Sequence, residues 1–123
     1  MNVVDSSCWL EFFAGSELGK QFKPLIQNVA ELVVPVVTIY EIFKTVALTN
    51  EEDALKAVAL MNTGTVVDLT QELAINAALA SHEHQLPMAD AMILATAQAY
   101  EATLWTLDEH FKGIEGVKWI EKN

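Results

Sequence analysis

The chain has 123 residues, of which 52% are hydrophobic, and this is enough for a single domain with one buried core. Acidic residues outnumber lysines by 17 to seven, arginine is absent, and the formal net charge is −10. This balance argues against a high-affinity nucleic-acid binder, because sequence-independent binding depends on lysine and arginine.

Apolar runs and capping signals predict an alternation of strands and helices along the chain. In chain order, the predicted elements are a strand at 2–5, helices at 7–14 and 16–28, a strand at 32–34, helices at 38–48 and 49–61, a strand at 65–68, helices at 70–84 and 88–100, a strand at 103–106, a helical turn after 108 and an edge strand at 117–120. Strands that alternate with helices predict a parallel sheet covered on both faces. We therefore expect a three-layer α/β/α sandwich with a central, mostly parallel sheet of four to five strands.

The sequence also bears on cellular location. The longest apolar stretches are far shorter than the ~20 residues that cross a bilayer. The chain enters a strand-like run at once, without a basic segment ahead of an apolar one, so we expect no signal peptide. Its single cysteine, Cys8, supplies neither an internal disulfide nor a CxxC pair for zinc. We expect a cytoplasmic protein that does not contact a membrane.

Four carboxylates each follow a short apolar run, close to a predicted helix start: Asp5, Glu41, Asp90 and Asp108. In an open parallel α/β sheet, the carboxyl ends of the strands lie along one edge, where ligands bind. We therefore expect these four side chains to gather in one crevice. A fifth acid, Asp68, ends the third predicted strand; we interpret it as a turn residue and do not exclude it from the site.

Each acid also has a purely structural explanation. Asp5 and Asp108 can cap helical turns, and Asp90 can complement the helix dipole in a first turn. Thr38 and Glu41 match a capping box, in which the glutamate reaches back to the amide of the cap residue. The other helix starts carry mainly serine and threonine, however, so the coincidence of four acids favours a shared site.

Carboxylates that share a pocket repel one another unless a cation joins them. Ligation by oxygen alone suits hard cations such as Mg²⁺ or Mn²⁺. Such a site supports in-line hydrolysis of a phosphodiester, because bound metal activates water and neutralises charge on the phosphate. The sequence therefore indicates a candidate metal-dependent hydrolase.

Four strings that contain these acids resemble the pattern of the PIN-domain nucleases, in order and in spacing. They are VDSS at 4–7, TIYEI at 38–42, ADAMILATA at 89–97 and LWTLDEHF at 104–111. The resemblance covers essentially the whole chain, and in particular the chain is similar to the VapC-like ribonuclease toxins of type II toxin–antitoxin pairs. It implies a single PIN-like domain over residues 1–123.

The resemblance also implies roles for particular residues. The catalytic and metal-binding acids would be Asp5, Glu41, Asp90 and Asp108. Ser7 and Thr106 match hydroxyl positions that help to hold the acids or water. The implied activity is endonucleolytic cleavage of RNA with Mg²⁺ or Mn²⁺, and the implied partners are a cognate antitoxin protein and a second copy of the chain in a homodimer.

The chain departs from many members of this family in two ways. His110 stands where a further acid is often found, two residues after Asp108, so we do not expect a fifth acidic ligand there. The absence of arginine leaves Lys20, Lys23 and Lys44 as candidate phosphate contacts. Lys44 is the preferred one, because it lies three residues after Glu41 and shares its helix face.

Two other functions stay open at this point. The strong negative charge and the missing arginines fit a catalytically weak PIN-like module that binds partner proteins and uses its acids mainly as caps. The same acids would also serve a metal phosphatase that acts on small phosphate esters.

Overall fold

Residues 1–122 of the protein are described by a computed structural model. They form one sheet whose strands are β1 (Asn2–Val4), β2 (Leu32–Pro35), β3 (Thr65–Val67), β4 (Thr103–Thr106) and β5 (Val117–Trp119). The order across the sheet is β3-β2-β1-β4-β5, and every neighbouring pair is parallel. The predicted parallel sheet, with five strands, is therefore confirmed.

The helices of this part of the chain are α1 (Ser6–Ala14), α2 (Glu17–Lys20), α3 (Lys23–Gln27), α4 (Val36–Val46), α5 (Glu51–Met61), α6 (Gln71–His84) and α7 (Met88–Ala99). Short 3-10 turns occupy Val29–Glu31 and Glu109–Phe111. Within residues 1–122, no helix combines the length and the apolar character that a membrane span requires.

Successive strand residues point to opposite faces of the sheet, so apolar side chains lie on both faces. Helices bury both of these apolar faces. Val3 and Val33 pack into an apolar cluster with residues of α6 and α7. Val4 and Val34 pack on the opposite face with residues of α1, α4 and α5. The predicted three-layer α/β/α sandwich is therefore confirmed.

The helix predicted over residues 16–28 is wrong as one element, since α2 and α3 are separate. Ser16 caps α2 as expected, with its hydroxyl oxygen accepting a 2.9 Å hydrogen bond from the amide of Gly19. Pro24 explains the break: it has no amide hydrogen to bond the carbonyl of the residue four positions earlier, and its ring would collide with that carbonyl. It is tolerated in the first turn of α3, where amide hydrogens have no helical partner.

The alternative explanation of Thr38 and Glu41 as a capping box is contradicted by the start of α4. Helix α4 begins at Val36, with Pro35 in the N-cap position and no side-chain capping bond there. Pro35 ends β2 and leads directly into the helix, so Thr38 lies in the first turn and Glu41 in the second. Glu41 therefore does not cap α4.

Asp90 follows a turn between two helices, and not a strand, although a short apolar run precedes it. Helix α6 ends at His84, Gln85 adopts a left-handed conformation with φ 55°, and α7 begins at Met88. Leu86 is buried in the turn between the two helices, which explains an apolar residue ahead of Asp90. Asp90 therefore belongs to a helix–helix passage, in the first turn of α7.

Candidate metal centre

The central strand and its two neighbours position three of the four acids. Asp5 follows β1 directly, and Asp108 lies two residues beyond β4, which pairs with β1. Glu41 lies on α4, which starts immediately after β2, the other neighbour of β1. The carboxyl ends of these parallel strands therefore bring the three side chains toward one edge of the sheet, as the sequence predicted.

Asp5 is the most deeply buried of these acids, with 2% of its surface exposed. Its Oδ2 accepts hydrogen bonds from the hydroxyls of Thr106 at 2.7 Å and Ser7 at 3.0 Å. No residue in the described range hydrogen-bonds its Oδ1, which is also buried. The pKa of Asp5 is raised from 3.8 to about 6, mainly by burial; the two hydroxyl bonds oppose this rise and the charge of Asp90 contributes to it.

Ser7 and Thr106 fix this geometry from both sides. The oxygen of Thr106 accepts from the amide of Asp108 at 3.0 Å, and the oxygen of Ser7 accepts from the amide of Leu107 at 3.2 Å. Each hydroxyl thus donates to Asp5 and accepts from the segment that leads to Asp108. The two acids are held relative to each other by hydroxyls at the positions that the sequence singled out.

Glu41 contributes a second buried oxygen of the same kind. Its Oε1 is buried and has no hydrogen-bond partner among residues 1–122. Burial raises the pKa of Glu41, and the negative charges of the other three acids raise it further. Because the charges of the other three acids all act on Glu41, the four predicted acids lie in the same region of the protein.

Asp90 and Asp108 meet at His110. The Nδ1 atom of His110 lies 3.2 Å from Oδ2 of Asp90 and 3.2 Å from Oδ1 of Asp108. One ligand atom from each residue falls within 4.8 Å of the others, close enough to share one metal ion. The hydrogen bond with Asp90 raises the pKa of His110, and burial raises the pKa of Asp90 despite that bond.

The sequence did not assign His110 to the site. The sequence predicts no fifth acidic ligand at this position, two residues after Asp108, and leaves open whether the histidine joins the site. The available signal was Asp108 itself: its Oδ1 caps the short turn by accepting from the amide of His110 at 2.9 Å, which keeps the imidazole beside the carboxylate. The predicted cap at Asp108 is therefore present, and it coexists with the site.

Two other residues that the sequence analysis considered, Lys44 and Asp68, are exposed. Lys44 is exposed on α4, with its Nζ 5.7 Å from the centre of the Tyr40 ring, one turn away. Asp68 is exposed after β3, an edge strand separated from β1 by β2. Asp68 is thus outside the group formed around Asp5.

The donor set fits a hard divalent cation. It offers carboxylate oxygens from four residues, and the buried oxygens of Asp5 and Glu41 that no described residue bonds are the atoms that a cation would satisfy. Leaving such oxygens buried without a partner costs free energy in the folded state. The excess of negative charge in the crevice adds to that cost, and a bound cation would offset both.

Comparison with known proteins gives a consistent fold. Residues 3–117 match the family described as PIN domain. No curated protein sequence matches the chain. Among solved structures, a chain of a toxin–antitoxin complex from Klebsiella pneumoniae aligns with a TM-score of 0.81 and 24% identity, covering 96% of each chain.

Two further solved structures are similar over nearly their whole length. One is VapC20 from Mycobacterium tuberculosis, described as a sarcin-ricin loop cleaving toxin, with a TM-score of 0.75, 18% identity, and coverage of 94% of this chain and 95% of that one. The other is DNA-bound VapBC from Salmonella typhimurium, with a TM-score of 0.74, 18% identity, and coverage of 97% and 96%. At these identities the likeness establishes the shared fold.

Proposed function

The chain belongs to the PIN domain family, and from that premise we propose that it is a single-domain, metal-dependent endoribonuclease that acts as the toxin of a type II toxin–antitoxin pair. The observation that carries the proposal is a pair of buried carboxylate oxygens near the carboxyl edge of the sheet. Oδ1 of Asp5 and Oε1 of Glu41 have no hydrogen-bond partner in the described part of the chain, and the charges of Asp90 and Asp108 act on Glu41 as well. That arrangement suits a divalent cation and, through it, a phosphodiester.

The four acids have different proposed roles. Asp5, Asp90 and Asp108 would hold the principal Mg²⁺ or Mn²⁺, and Glu41 would hold a second ion or orient the attacking water. When bound, the metal lowers the pKa of that water and stabilises negative charge that builds on the phosphate. Ser7 and Thr106 hold Oδ2 of Asp5, so that its other oxygen keeps a fixed position.

The charge of the chain restricts how RNA can bind. A net charge of −10 without arginine repels a phosphate backbone. Productive binding therefore depends on the metal centre and on a few lysines near it. Lys44 is the proposed phosphate contact, since it is exposed on the helix that carries Glu41.

The toxin role is supported by what the similar structures are. One is described as part of a toxin–antitoxin complex and another as a toxin that cleaves the sarcin-ricin loop. We extend this to the present chain as a proposal: an antitoxin protein binds it and blocks the centre, and the active form is a homodimer. Coexpression with the product of the neighbouring reading frame, followed by copurification and a growth assay, tests the antitoxin. The mass of the purified protein in solution tests the homodimer.

The activity is tested by incubating the purified protein with RNA in Mg²⁺, in Mn²⁺ and in EDTA. Cleavage should require the metal and should be lost in Asp5→Asn and Asp90→Asn. Asp68→Asn is the matched control, because it removes an exposed acid after the edge strand and should cleave like wild type. Undiminished cleavage by both site variants would refute the assignment. A parallel assay with p-nitrophenyl phosphate separates the nuclease from a phosphatase.

One observation favours a second candidate, a catalytically weak protein-interaction module. The chain combines a charge of −10 with a complete lack of arginine, which is unusual for a protein that binds RNA. Calorimetry decides between the two. Absence of Mg²⁺ and Mn²⁺ binding at millimolar concentration, together with absence of RNA cleavage, would favour the module.

A further inference from the structure

The imidazole of His110 lies between two of the proposed metal ligands. Its Nδ1 is 3.2 Å from an oxygen of Asp90 and 3.2 Å from an oxygen of Asp108. In an octahedral site with ligands at ~2.1 Å, neighbouring ligand atoms are ~3.0 Å apart and opposite ones ~4.2 Å apart. The two observed separations of 3.2 Å are therefore close to those of neighbouring ligand atoms on one ion.

The backbone helps to keep this nitrogen in place. The amide of His110 donates to Oδ1 of Asp108 at 2.9 Å, so the residue is tied to one of the ligands by its main chain as well as by its ring. The ring itself is 56% exposed, so replacing it disturbs little packing. His110 can thus be substituted without an expected loss of the fold.

We propose that Nδ1 of His110 is a nitrogen ligand of the metal centre and that it makes the centre favour Mn²⁺ and other transition-metal ions over Mg²⁺. The inference rests on the proposed metal centre and deepens it by naming the class of ion. Imidazole nitrogen binds transition metals well, whereas Mg²⁺ strongly prefers oxygen and water. A centre of acids alone would lack that discrimination.

The alternative role for His110 is that of a positive partner that neutralises the acids while the metal is absent. The two roles predict opposite results when the ring is removed. If His110 is a ligand, its removal weakens metal binding, and the affinity falls more for Mn²⁺ than for Mg²⁺. If His110 is a competing positive charge, its removal strengthens the binding of both ions.

The test is isothermal titration of the full chain with MnCl₂ and with MgCl₂ at mildly alkaline pH, because protons compete with metal ions for their ligands at lower pH. The variants are His110→Gln, which removes the nitrogen ligand, and His110→Asp, which restores an all-oxygen set. His82→Gln is the matched control, because His82 is an exposed histidine on α6.

Wild type and His82→Gln should bind Mn²⁺ more tightly than Mg²⁺. His110→Gln should lose at least about tenfold in Mn²⁺ affinity, the loss typical even of residues that only support ligands, and less in Mg²⁺ affinity. His110→Asp should bind Mg²⁺ at least as well as wild type while its preference for Mn²⁺ falls.

NMR spectroscopy tests whether Nδ1 of His110 is the atom that binds the metal. In ¹⁵N-labelled protein, Zn²⁺ should shift the Nδ1 resonance of His110 and leave those of His82 and His84 in place. Unchanged Mn²⁺ and Mg²⁺ affinities in His110→Gln, or tighter binding of both, would overturn this inference and leave the acidic centre standing. Absence of binding of either ion to wild type would overturn the proposed metal centre and the inference with it.

Discussion

Thr106 donates a 2.7 Å hydrogen bond to Oδ2 of Asp5 and thereby joins the end of β4 to the end of β1. The two residues follow a pair in register, since Val4 lies opposite Trp105 in the parallel ladder. Ser7 donates to the same oxygen, so the second oxygen of Asp5 stays without a bond from any residue in the described range. The hydroxyls therefore orient Asp5 while leaving one oxygen for a ligand.

This relationship predicts that Thr106→Val weakens metal binding. Valine keeps the shape of threonine but cannot donate to Asp5, so the carboxylate loses its strongest orienting bond. We expect a loss of roughly 10–100-fold in Mn²⁺ affinity, as is typical when a group that supports a ligand is removed. The measurement is a calorimetric titration.

Thr96→Val is the control for that experiment. Thr96 is also buried, but its hydroxyl donates to the carbonyl of Met92 within α7 and does not contact Asp5. Metal affinity in this variant should stay at the wild-type value. Equal affinities in all three proteins would show that the hydroxyl of Thr106 does not orient a ligand.

The buried charge of Asp5 predicts that Asp5→Asn stabilises the protein when metal is removed. The pKa of Asp5 is about 6 in the folded state against an ordinary value of 3.8, so the unfolded chain loses this proton first as the pH rises. The free energy of unfolding should therefore fall between pH 3.8 and about 6, by up to about 3 kcal/mol for a shift of this size. Asparagine carries no charge and avoids that loss.

Urea unfolding in EDTA, followed by circular dichroism, measures this effect. Asp5→Asn should unfold at higher urea than wild type at neutral pH, and the difference should shrink as the pH falls toward 3.8. Asp68→Asn, an exposed acid, should show no such pH-dependent gain. A variant at Asp5 that is less stable than wild type at neutral pH would contradict the electrostatic account.

Lys44 is predicted to contact the phosphate backbone of RNA. In Lys44→Ala the KM for RNA should rise, kcat should change little, and the slope of log affinity against log salt should fall by about one. Lys56→Ala is the matched control, since Lys56 is an exposed helical lysine on α5 that lies 3.8 Å from Glu52. If both variants show the same KM and salt slope as wild type, Lys44 does not bind phosphate.

Much of the fold could be predicted from local sequence patterns, namely short apolar runs and polar residues at helix starts. Short apolar runs form the strands. Ser16 and Thr70, the first residues of two predicted helices, accept hydrogen bonds from backbone amides of α2 and α6. The errors occurred where two local rules conflicted. Pro24 split a helix that its neighbours favoured, and the match of Thr38 and Glu41 to a capping box was overridden by Pro35, which starts α4 earlier.

The candidate site was predictable to the extent that topology determines it. Asp5 and Asp108 follow adjacent parallel strands, so their meeting could be expected from the alternation of strands and helices. The position of His110 between Asp90 and Asp108 could not, because it depends on how the start of α7 approaches the turn after β4. That approach is a property of the packed helices, and no local pattern encodes it.

Crystals grown with MnCl₂ test the central claim most directly, since the anomalous signal of manganese locates the ion. The account predicts a peak at the carboxyl edge of the sheet, within about 2.5 Å of oxygens from Asp5, Asp90 and Asp108. Crystals of Asp90→Asn under the same conditions should show a weaker peak or none. A well-ordered wild-type crevice without manganese at millimolar concentration, or manganese bound only elsewhere, would contradict it.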